Sequence, residues 1–319
     1  MSPEFRMAGL YAAAFTPTDA KGNFAPGAVP QIVDHLASRG VSGLYLTGSA
    51  GEGPLLSDEE RREVVEAYLG AARGRLPGVV QIGHNSLRAA AALAVHAASC
   101  GAAAISATPP LYFKPGSVPE LIASLSEIAA AAPNLPFYYY HIPAVTGVNL
   151  DMVAFLEEAR GKIPTLAGIK FSDSSLDVFS LCVALEGFDL VYGRDEMLLP
   201  ALSVGAKGAV GSTYNYFAPL ANRIIAAAEA GDWHEARGLQ VRYNRLVRAI
   251  QQAGGQCMLK PVMKLVGIDC GPNRLPLRTP SVAELCALEK TFESLGFYEL
   301  THSKHAPRHL GDVAPSASR

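Results

Sequence analysis

Eight short apolar runs alternate with amphipathic segments between residues 10 and 230 of this chain. Each run has the length of a buried strand, and each intervening segment has the apolar period of about 3.6 residues that is typical of a helix packed on one face. Strands that alternate with helices in this way form parallel sheets covered by the helices. The runs comprise residues 10–15, 43–47, 79–82, 103–108, 137–140, 166–171, 190–192 and 208–211.

Eight strand–helix units without a break in composition predict a (β/α)8 barrel, the TIM barrel fold. A doubly wound open sheet is the alternative, although it needs fewer strands and a point where the strand order reverses. Ser57 and Glu60 form a capping box that opens the second helix. Gly40, Gly101 and Gly205 each follow a helical segment, where a left-handed residue commonly ends a helix. The helical segments comprise residues 29–39, 57–72, 87–99, 118–132, 151–159, 176–185, 196–204 and 219–230.

The barrel is expected to cover residues 8–230, and no linker separates it from the C-terminal part of the chain. Residues 231–298 contain further helical segments and no strand-like run, which predicts C-terminal helices packed on the barrel. The polar stretch 299–319 is expected to be a disordered tail. Residues 1–7 resemble a cloning remnant followed by a start methionine, Met7, and are left out of the predicted fold.

The charge pattern argues against macromolecular partners. The chain has 27 basic and 29 acidic side chains, a formal net charge of −2, and no basic block longer than two residues. Neither nucleic acid nor an anionic membrane is therefore expected as a partner. Apolar stretches fall well short of the roughly 20 residues of a spanning helix, and the N-terminus has no signal-peptide pattern. These features predict a cytoplasmic protein.

Cysteine and histidine usage indicates neither disulfides nor a metal site. The five cysteines are widely spaced, odd in number and without a CxxC pair, which is typical of free thiols in a reducing compartment. The eight histidines are scattered, and the neighbouring His302 and His305 lie in the polar tail. Because structural metal sites require closely grouped ligands, no metal is predicted.

Lys170 places an amine inside the sixth apolar run, residues 166–171. Lysine is almost never fully buried without compensation, and desolvation favours its neutral form. A neutral amine is a nucleophile towards ketones, which makes Lys170 a candidate for Schiff-base formation. The alternative is a lysine at a strand end whose ammonium group reaches solvent.

Polar residues follow the carboxyl ends of six predicted strands, which is where barrels of this kind form their active sites. This convergence is stronger evidence of a site than any single motif. Besides Lys170, the groups are Gly48-Ser49-Ala50-Gly51-Glu52 after the second strand, Tyr112 after the fourth, Tyr140-His141 in the fifth, Gly193-Arg194-Asp195-Glu196 after the seventh, and Ser212-Thr213-Tyr214-Asn215 after the eighth.

Each group has a use if Lys170 attacks a 2-oxo acid. A glycine-rich turn exposes backbone N–H groups that suit a carboxylate, which makes Gly48, Ala50 and Gly51 candidate binding residues. The alternative is a plain tight turn. The glycines do not follow the GxGxxG order, so a dinucleotide site is not expected.

Tyr140 is a candidate for moving the proton that carbinolamine collapse and C–C cleavage require. Tyrosines in a strand often serve packing. Strand alternation is expected to direct Tyr139 to the face opposite that of Tyr140. Asp195 and Glu196 offer acceptors for sugar hydroxyls, and the alternative is a solvated helix N-terminus favoured by the macrodipole.

Five ordered motifs resemble the N-acetylneuraminate lyase and dihydrodipicolinate synthase superfamily, most closely its N-acetylneuraminate lyase branch. The resemblance extends from about residue 8 to about residue 298. The motifs are Gly48-Ser49-x-Gly51-Glu52, Tyr140-x-Ile142-Pro143-x-x-x-Gly147-Val148, Gly168-Ile169-Lys170, Gly193-x-Asp195-Glu196 and Gly211-Ser212-Thr213-Tyr214-Asn215.

The resemblance implies a homotetrameric barrel in which a lysine forms an imine with pyruvate, without a cofactor. Lys170 matches that lysine, Tyr140 the proton-transferring tyrosine, and Ser49 the hydroxyl that relays to it. Tyr112 matches a tyrosine that a neighbouring subunit contributes in many members. The residues that match sugar contacts in lyases are Ser172, Gly193, Asp195, Glu196 and Ser212.

Three features of the sequence bear on carboxylate affinity and on the choice of branch. Ala50 replaces a second hydroxyl that the turn usually carries, which removes one hydrogen bond with a typical net value of about 1 kcal/mol. His141 resembles animal-type lyases, because bacterial relatives often carry Asn there. Residues 144–147 lack the arginine that dihydrodipicolinate synthases use for an aldehyde carboxylate.

The resemblance implies reversible cleavage of N-acetylneuraminate to pyruvate and N-acetylmannosamine as the activity. Two alternatives stay open: another aldolase or dehydratase of 2-keto-3-deoxy sugar acids, and a catalytically silent ligand-binding relative.

Overall fold

The computed structural model describes residues 5–301, and eight parallel strands in that range form one closed barrel. The strands pair in chain order, and the first pairs with the last to close the cylinder. Because each strand has two neighbours, the doubly wound sheet is excluded and the predicted TIM barrel is confirmed. The strands are β1 (Gly9–Ala13), β2 (Gly43–Leu46), β3 (Gly78–Gln81), β4 (Ala104–Ala107), β5 (Phe137–His141), β6 (Leu166–Phe171), β7 (Asp189–Tyr192) and β8 (Gly208–Gly211).

Helices follow every strand and cover the outside of the barrel. Within residues 5–301, no helix is both long and apolar enough to cross a bilayer. The helices of the barrel are α1 (Val29–Ser38), α2 (Asp58–Ala72), α3 (Leu87–Ser99), α4 (Val118–Ala130), α5 (Pro143–Thr146), α6 (Met152–Ala159), α7 (Leu176–Val183), α8 (Leu198–Ser203) and α9 (Tyr214–Glu229). Short 3-10 turns occur at Pro26–Ala28, Gly53–Leu55, Asp195–Met197 and Pro261–Val266.

The local interactions that the sequence predicts at helix ends are present in the structure. The Ser57 hydroxyl accepts from the Glu60 backbone N–H, and the Glu60 carboxylate accepts from the Ser57 N–H, so the capping box is present. Gly40, Gly101 and Gly205 have φ angles of 76°, 80° and 99°, which confirms their left-handed positions after α1, α3 and α8.

The last barrel helix begins at Tyr214, whereas the sequence pattern predicts its start at Pro219. Proline ordinarily disrupts a helix interior because it leaves the carbonyl four residues earlier without its donor. Here that carbonyl belongs to Asn215, and its oxygen lies 2.9 Å from Nε2 of His35 in α1. A tertiary contact therefore supplies the partner that the proline removes.

The C-terminal extension shares one apolar core with the barrel. The ring of Phe217 in α9 lies 5.5 Å from that of Tyr243 and 5.8 Å from those of Phe292 and Phe297, measured between centroids. These rings belong to three different helices of the extension, so it is anchored along its length. Its helices are α10 (Trp233–Ala253), α11 (Gln256–Leu259), α12 (Val282–Ser294) and α13 (Phe297–Thr301).

Two predicted boundaries are corrected. The polar pattern predicts a tail from residue 299, but α13 continues to Thr301 because Leu300 and Thr301 are buried. The remaining stretch, 302–319, lies outside the described residues, as do residues 1–4. Arg6 and Met7 belong to the fold, since the Met7 N–H donates to Asp189 Oδ2 at 2.7 Å and the Arg6 guanidinium donates to the backbone of residues 167 and 187.

Candidate active site

A cavity of about 390 Å³ opens at the carboxyl ends of the strands. Its walls come from β1, β5, β6 and β8, from the loops after β2 and β7, and from the C-terminal extension. Most predicted site residues line it, namely Ser49, Ala50, Tyr140, Lys170, Ser172, Gly193, Asp195, Glu196 and Ser212. Three predicted residues, Gly48, Gly51 and Tyr112, are not part of its lining.

Lys170 is enclosed between two aromatic rings at the cavity. Its side chain is buried, with a relative exposure of 4%, so the alternative of an ammonium group reaching solvent is excluded. Lys170 pairs in register with Tyr140 across β5 and β6, which directs both side chains to the same face. The Lys170 Nζ lies 3.8 Å from the Tyr140 ring centroid. Burial lowers the pKa of Lys170, although Tyr140 and Asp195 favour its charged form.

Tyr45 in β2 forms the other side of this enclosure, and the sequence pattern did not single it out. The Lys170 Nζ lies 3.8 Å from the Tyr45 ring centroid, and the Tyr45 and Tyr140 rings meet edge to face at 5.8 Å. The Tyr45 hydroxyl donates to Ser106 Oγ at 3.0 Å. Burial and the neighbouring Tyr140 raise the pKa of Tyr45 well above its usual value. Tyr45 therefore stays neutral and shapes the amine's surroundings.

The neighbouring tyrosine and histidine of β5 are directed away from this enclosure. Tyr139 packs against Phe155 of α6 with ring centroids 5.1 Å apart, as strand alternation predicted. His141 lies between Tyr139 and Phe171, outside the cavity lining, and its Nδ1 has no hydrogen-bond partner among the described residues. Burial lowers the pKa of His141 to about 4, so the ring is neutral near pH 7.

The turn after β2 presents backbone donors to the cavity. Ser49 and Ala50 line the cavity, and within residues 5–301 their N–H groups donate to no protein acceptor. Free, adjacent N–H groups in a turn are suited to binding an anion. Gly51 lies behind them, where a Cβ would come within 2.8 Å of the Ala14 carbonyl oxygen, so its backbone approach requires glycine.

Ser172 and Gly193 form a matched pair at the ends of β6 and β7. The Ser172 hydroxyl is buried, lines the cavity, and has no hydrogen-bond partner among the described residues. A Cβ at position 193 would lie 1.8 Å from this hydroxyl oxygen, so only glycine leaves room for it. The arrangement can therefore offer a hydroxyl to a polar ligand.

Asp195 is a buried carboxylate rather than a solvated residue at a helix terminus. Its side chain is 6% exposed, and its Oδ2 accepts from the Thr213 N–H at 2.8 Å and from Thr213 Oγ1 at 2.5 Å. The Thr213 hydroxyl also lies 2.5 Å from the Tyr243 hydroxyl of α10. Burial raises the pKa of Asp195 to about 6, against the opposing bonds from Thr213.

Glu196 is held by its neighbour Arg194. The guanidinium group donates to Glu196 Oε1 from Nη2 at 2.7 Å and from Nε at 3.1 Å. Both residues line the cavity, and the remaining carboxylate oxygen of Glu196 has no donor among the described residues. With Asp195 and Ser212, this places several polar groups along the same wall.

Tyr112 lies away from the cavity of its own chain. Its side chain is 79% exposed and contacts the equally exposed Phe113 at 5.0 Å between ring centroids. Asn85 Oδ1 accepts from the backbone N–H groups of Leu111 and Tyr112, which fixes the loop. An exposed aromatic pair on an ordered loop is typical of a contact surface.

The C-terminal extension supplies a wall of the cavity that sequence reasoning missed. Gln251 and Gln256 are its polar members, and the Gln256 amide donates to the Ser49 carbonyl at 3.3 Å. Gly254 and Gly255, both with positive φ, turn the chain from α10 towards this wall. The paired glycines were a local signal for a turn, but nothing local indicated that the turn faces the barrel. The remaining lining residues of the extension are Val247, Ile250, Gly255 and Leu259.

Within residues 5–301, one group of potential metal ligands lies elsewhere, on the surface between α2 and α3. His96 Nε2 is 2.9 Å from Glu66 Oε1 and 3.6 Å from Cys100 Sγ. A hydrogen bond between His96 and the exposed Glu66 accounts for the closer contact. Burial raises the pKa of the Cys100 thiol, so the group has no activated thiolate.

Comparison with known proteins supports the motif resemblance over nearly the whole chain. Residues 6–295 match the Dihydrodipicolinate synthetase family. The chain belongs to this family.

Relatives of this family member include N-acetylneuraminate lyases. N-acetylneuraminate lyase A of Xenopus laevis is 43% identical over 277 residues, 85% of this chain and 91% of that protein. N-acetylneuraminate lyase of Homo sapiens is 40% identical over 309 residues, 95% of this chain and 97% of that protein. The structure of N-acetylneuraminate lyase (sialic acid aldolase) from Aliivibrio salmonicida has a TM-score of 0.90 at 39% identity and covers 93% of this chain and 100% of that chain. The family resemblance drawn from the five motifs is confirmed.

Proposed function

We infer that this family member is an N-acetylneuraminate lyase, a carbon–carbon lyase that reversibly cleaves N-acetylneuraminate to pyruvate and N-acetylmannosamine. The observation that carries the mechanism is the amine of Lys170, buried between the rings of Tyr45 and Tyr140 at a polar cavity. The substrate assignment is supported by N-acetylneuraminate lyases that are about 40% identical to this chain. The match covers nearly the whole length of those proteins.

The first chemical step is attack of Lys170 Nζ on the C2 ketone of the open-chain sugar acid. Burial lowers the pKa of this amine, which increases the neutral, nucleophilic fraction. The resulting carbinolamine loses water to form an iminium ion on Nζ. This covalent imine is the electron sink for the next step, so the mechanism requires neither a metal nor an organic cofactor.

Tyr140 protonates the hydroxyl that leaves the carbinolamine as water, and the resulting phenolate accepts the proton of the C4 hydroxyl while the C3–C4 bond breaks. The bonding electrons move into the iminium system and leave an enamine, and C4 becomes the aldehyde of N-acetylmannosamine. Protonation of the enamine at C3 and hydrolysis release pyruvate and restore Lys170. Ser49 is proposed to relay protons to Tyr140, since both side chains line the same cavity.

The cavity provides two binding regions for the substrate. We assign the carboxylate to the turn after β2, where backbone N–H groups of Ser49 and Ala50 are available and Gly48 and Gly51 shape the backbone. We assign the hydroxylated portion to the opposite wall, where Oδ1 of Asp195 has no protein donor among the described residues. The other members of that wall are Ser172, Gly193, Glu196 and Ser212.

A neighbouring subunit is part of this proposal. Tyr112 is too exposed to belong to its own cavity, and its loop is ordered by Asn85. We propose that Tyr112 enters the site of a second copy within a homotetramer and supports Tyr140 there. We further propose a cytoplasmic enzyme without nucleic-acid or membrane partners, supported by the near-neutral charge and by five unpaired cysteines.

Borohydride trapping tests the proposal. The protein would be reduced in the presence of pyruvate or of N-acetylneuraminate, and the adduct located by peptide mass mapping. We expect an adduct on Lys170 with both compounds, and N-acetylmannosamine in an unreduced control. An adduct with pyruvate alone would favour another sugar-acid aldolase or dehydratase. Lys170→Ala should fold normally and lose turnover, and substantial residual activity in this variant would exclude the imine mechanism.

A further inference from the structure

The turn that presents Ser49 and Ala50 has a strained backbone. Thr47 and Glu52 are the non-glycine residues of the described range 5–301 with positive φ, at 53° and 56°. A left-handed conformation is unfavourable for any residue with a Cβ and especially for a β-branched one. Gly53 lies so close to Thr47 that a Cβ on it would be 1.9 Å from the Thr47 carbonyl oxygen. Such a turn persists only where its surroundings hold it.

Glu52 connects the turn to the C-terminal extension. Its carboxylate does not line the cavity and points to the opposite side, where Oε1 lies 2.7 Å from Nζ of Lys260. The two side chains are 3% and 2% exposed. The other carboxylate oxygen accepts from the backbone N–H of Arg274 at 2.9 Å. Both oxygens of Glu52 are thus occupied by donors from the extension.

Thr16 closes the connection on the barrel side. Its hydroxyl donates to the Gly51 carbonyl at 2.6 Å, and its own carbonyl lies 3.4 Å from Lys260 Nζ. Lys260 is therefore linked to the turn in two ways. It contacts Glu52 directly, and it contacts Thr16, whose hydroxyl binds Gly51. Gln256, one helical turn before Lys260, adds a bond from its amide to the Ser49 carbonyl at 3.3 Å.

A role in stability alone does not account well for this arrangement. Buried ion pairs are often no more stabilising than apolar side chains of the same volume, because both charges lose their hydration. Their directional bonds can instead fix one geometry among several. Burial lowers the pKa of Lys260, and the contact with Glu52 opposes this, so Glu52 favours the charged form of Lys260.

We propose that Lys260 is a positioning residue for the substrate carboxylate, and that its ion pair with Glu52 holds the turn in the conformation that directs the Ser49 and Ala50 N–H groups to the ligand. The inference rests on the proposed function, which assigns the carboxylate to this turn. It also accounts for Ala50: without a side-chain hydroxyl at this position, carboxylate affinity depends on the backbone, and hence on whatever fixes the backbone.

The test compares Lys260→Met and Glu52→Gln with the wild-type protein in borohydride trapping at varied ligand concentration. The probes are pyruvate and the uncharged ketone hydroxyacetone, which lacks the carboxylate. We expect the half-saturating pyruvate concentration to rise about tenfold or more, with the trapping rate at saturation within about threefold of wild type. Half-saturation by hydroxyacetone should change little, because it does not use the turn.

Arg274→Gln is the matched control in the same segment. It removes a half-buried ion pair with Glu60 and a 3.4 Å contact with the Leu55 carbonyl, but leaves the Arg274 backbone N–H and the Glu52–Lys260 pair in place. Its half-saturating pyruvate concentration should stay within about twofold of wild type. If either single variant fails to fold, the double variant Glu52→Gln/Lys260→Met leaves no unpaired buried charge and serves instead.

Two results would overturn the inference. One is unchanged half-saturation by pyruvate in folded variants, and the other is an equal weakening of pyruvate and hydroxyacetone, which would indicate a general structural role. Failure of the proposed function is distinguishable, because the wild-type protein would then form no adduct with pyruvate. If wild type is trapped on Lys170 and the variants behave like it, the function stands and the positioning role is wrong.

Discussion

Replacing Gly211 with alanine should displace the Asp195 carboxylate without altering Lys170. A Cβ on residue 211 would lie 1.8 Å from Asp195 Oδ1 and 2.4 Å from its Cγ, distances that no pair of unbonded atoms can sustain. The carboxylate must therefore move, although its Oδ2 is held by the Thr213 N–H at 2.8 Å and the Thr213 hydroxyl at 2.5 Å. Strand β8 cannot yield easily, because it pairs with both β7 and β1.

The size of the effect follows from these contacts. Overpacking of a buried site costs roughly 1–3 kcal/mol of unfolding free energy, and losing a hydrogen bond to a charged group about 1.5–3 kcal/mol. We expect Gly211→Ala to lose about 3 kcal/mol in total, which corresponds to a fall in Tm of about 4–5 °C. If Asp195 binds a sugar hydroxyl, its displacement should also raise KM for N-acetylneuraminate by roughly 10- to 100-fold.

Urea denaturation measures the loss of unfolding free energy, and steady-state kinetics measure the rise in KM. Pyruvate should still be trapped on Lys170 in the folded variant. Gly70→Ala is the control, since Gly70 lies exposed within α2 and a Cβ there has no neighbour within 4 Å. That substitution should leave KM unchanged and add up to about 1 kcal/mol of stability through helix propensity. Wild-type stability and wild-type KM in Gly211→Ala would refute the packing of Asp195 against β8 and its role in sugar binding.

Two further predictions concern the chemistry. Tyr140→Phe should keep the fold and the Lys170 environment but lower kcat for cleavage on the order of 100-fold, because the C4 proton loses its acceptor. A wild-type kcat in this variant would show that another group accepts the proton. Since burial raises the pKa of Asp195 to about 6, its carboxylate accepts fewer hydrogen bonds as the pH falls through this value. KM for N-acetylneuraminate should therefore rise below about pH 6 in wild type, and Asp195→Asn should remove that pH dependence from a KM profile measured between pH 5 and 8.

Local patterns were sufficient for the architecture. The apolar runs lie within one or two residues of the observed strands, because a strand buried on both faces needs a short, continuous apolar stretch. The Ser57 capping box and the left-handed glycines were also predictable, since each depends on residues a few positions apart. Lys170 stood out for the same reason: an amine in a buried strand is unusual wherever the strand lies.

Tertiary structure decided where local preference was overruled by a distant partner. Local preference places Pro219 at the start of a helix, but His35 supplies a contact to the carbonyl that the proline leaves free, so the helix begins at Tyr214. Asp195 would suit a solvated helix terminus, yet Thr213 of the next loop makes its burial tolerable. Met7 is part of the fold because the Asp189 carboxylate accepts a hydrogen bond from its backbone N–H.

The sequence by itself determined the barrel, the reactive amine and the side of the barrel on which polar residues gather, because these depend on short-range periodicity and the parallel direction of the strands. Only the closed structure placed Tyr45 beside Lys170 and joined Glu52 to Lys260. The same holds for the wall that the C-terminal extension adds to the cavity. These partners come from elements far apart in the chain, so their meeting depends on how the strands close and where the last helices pack, which no local pattern encodes.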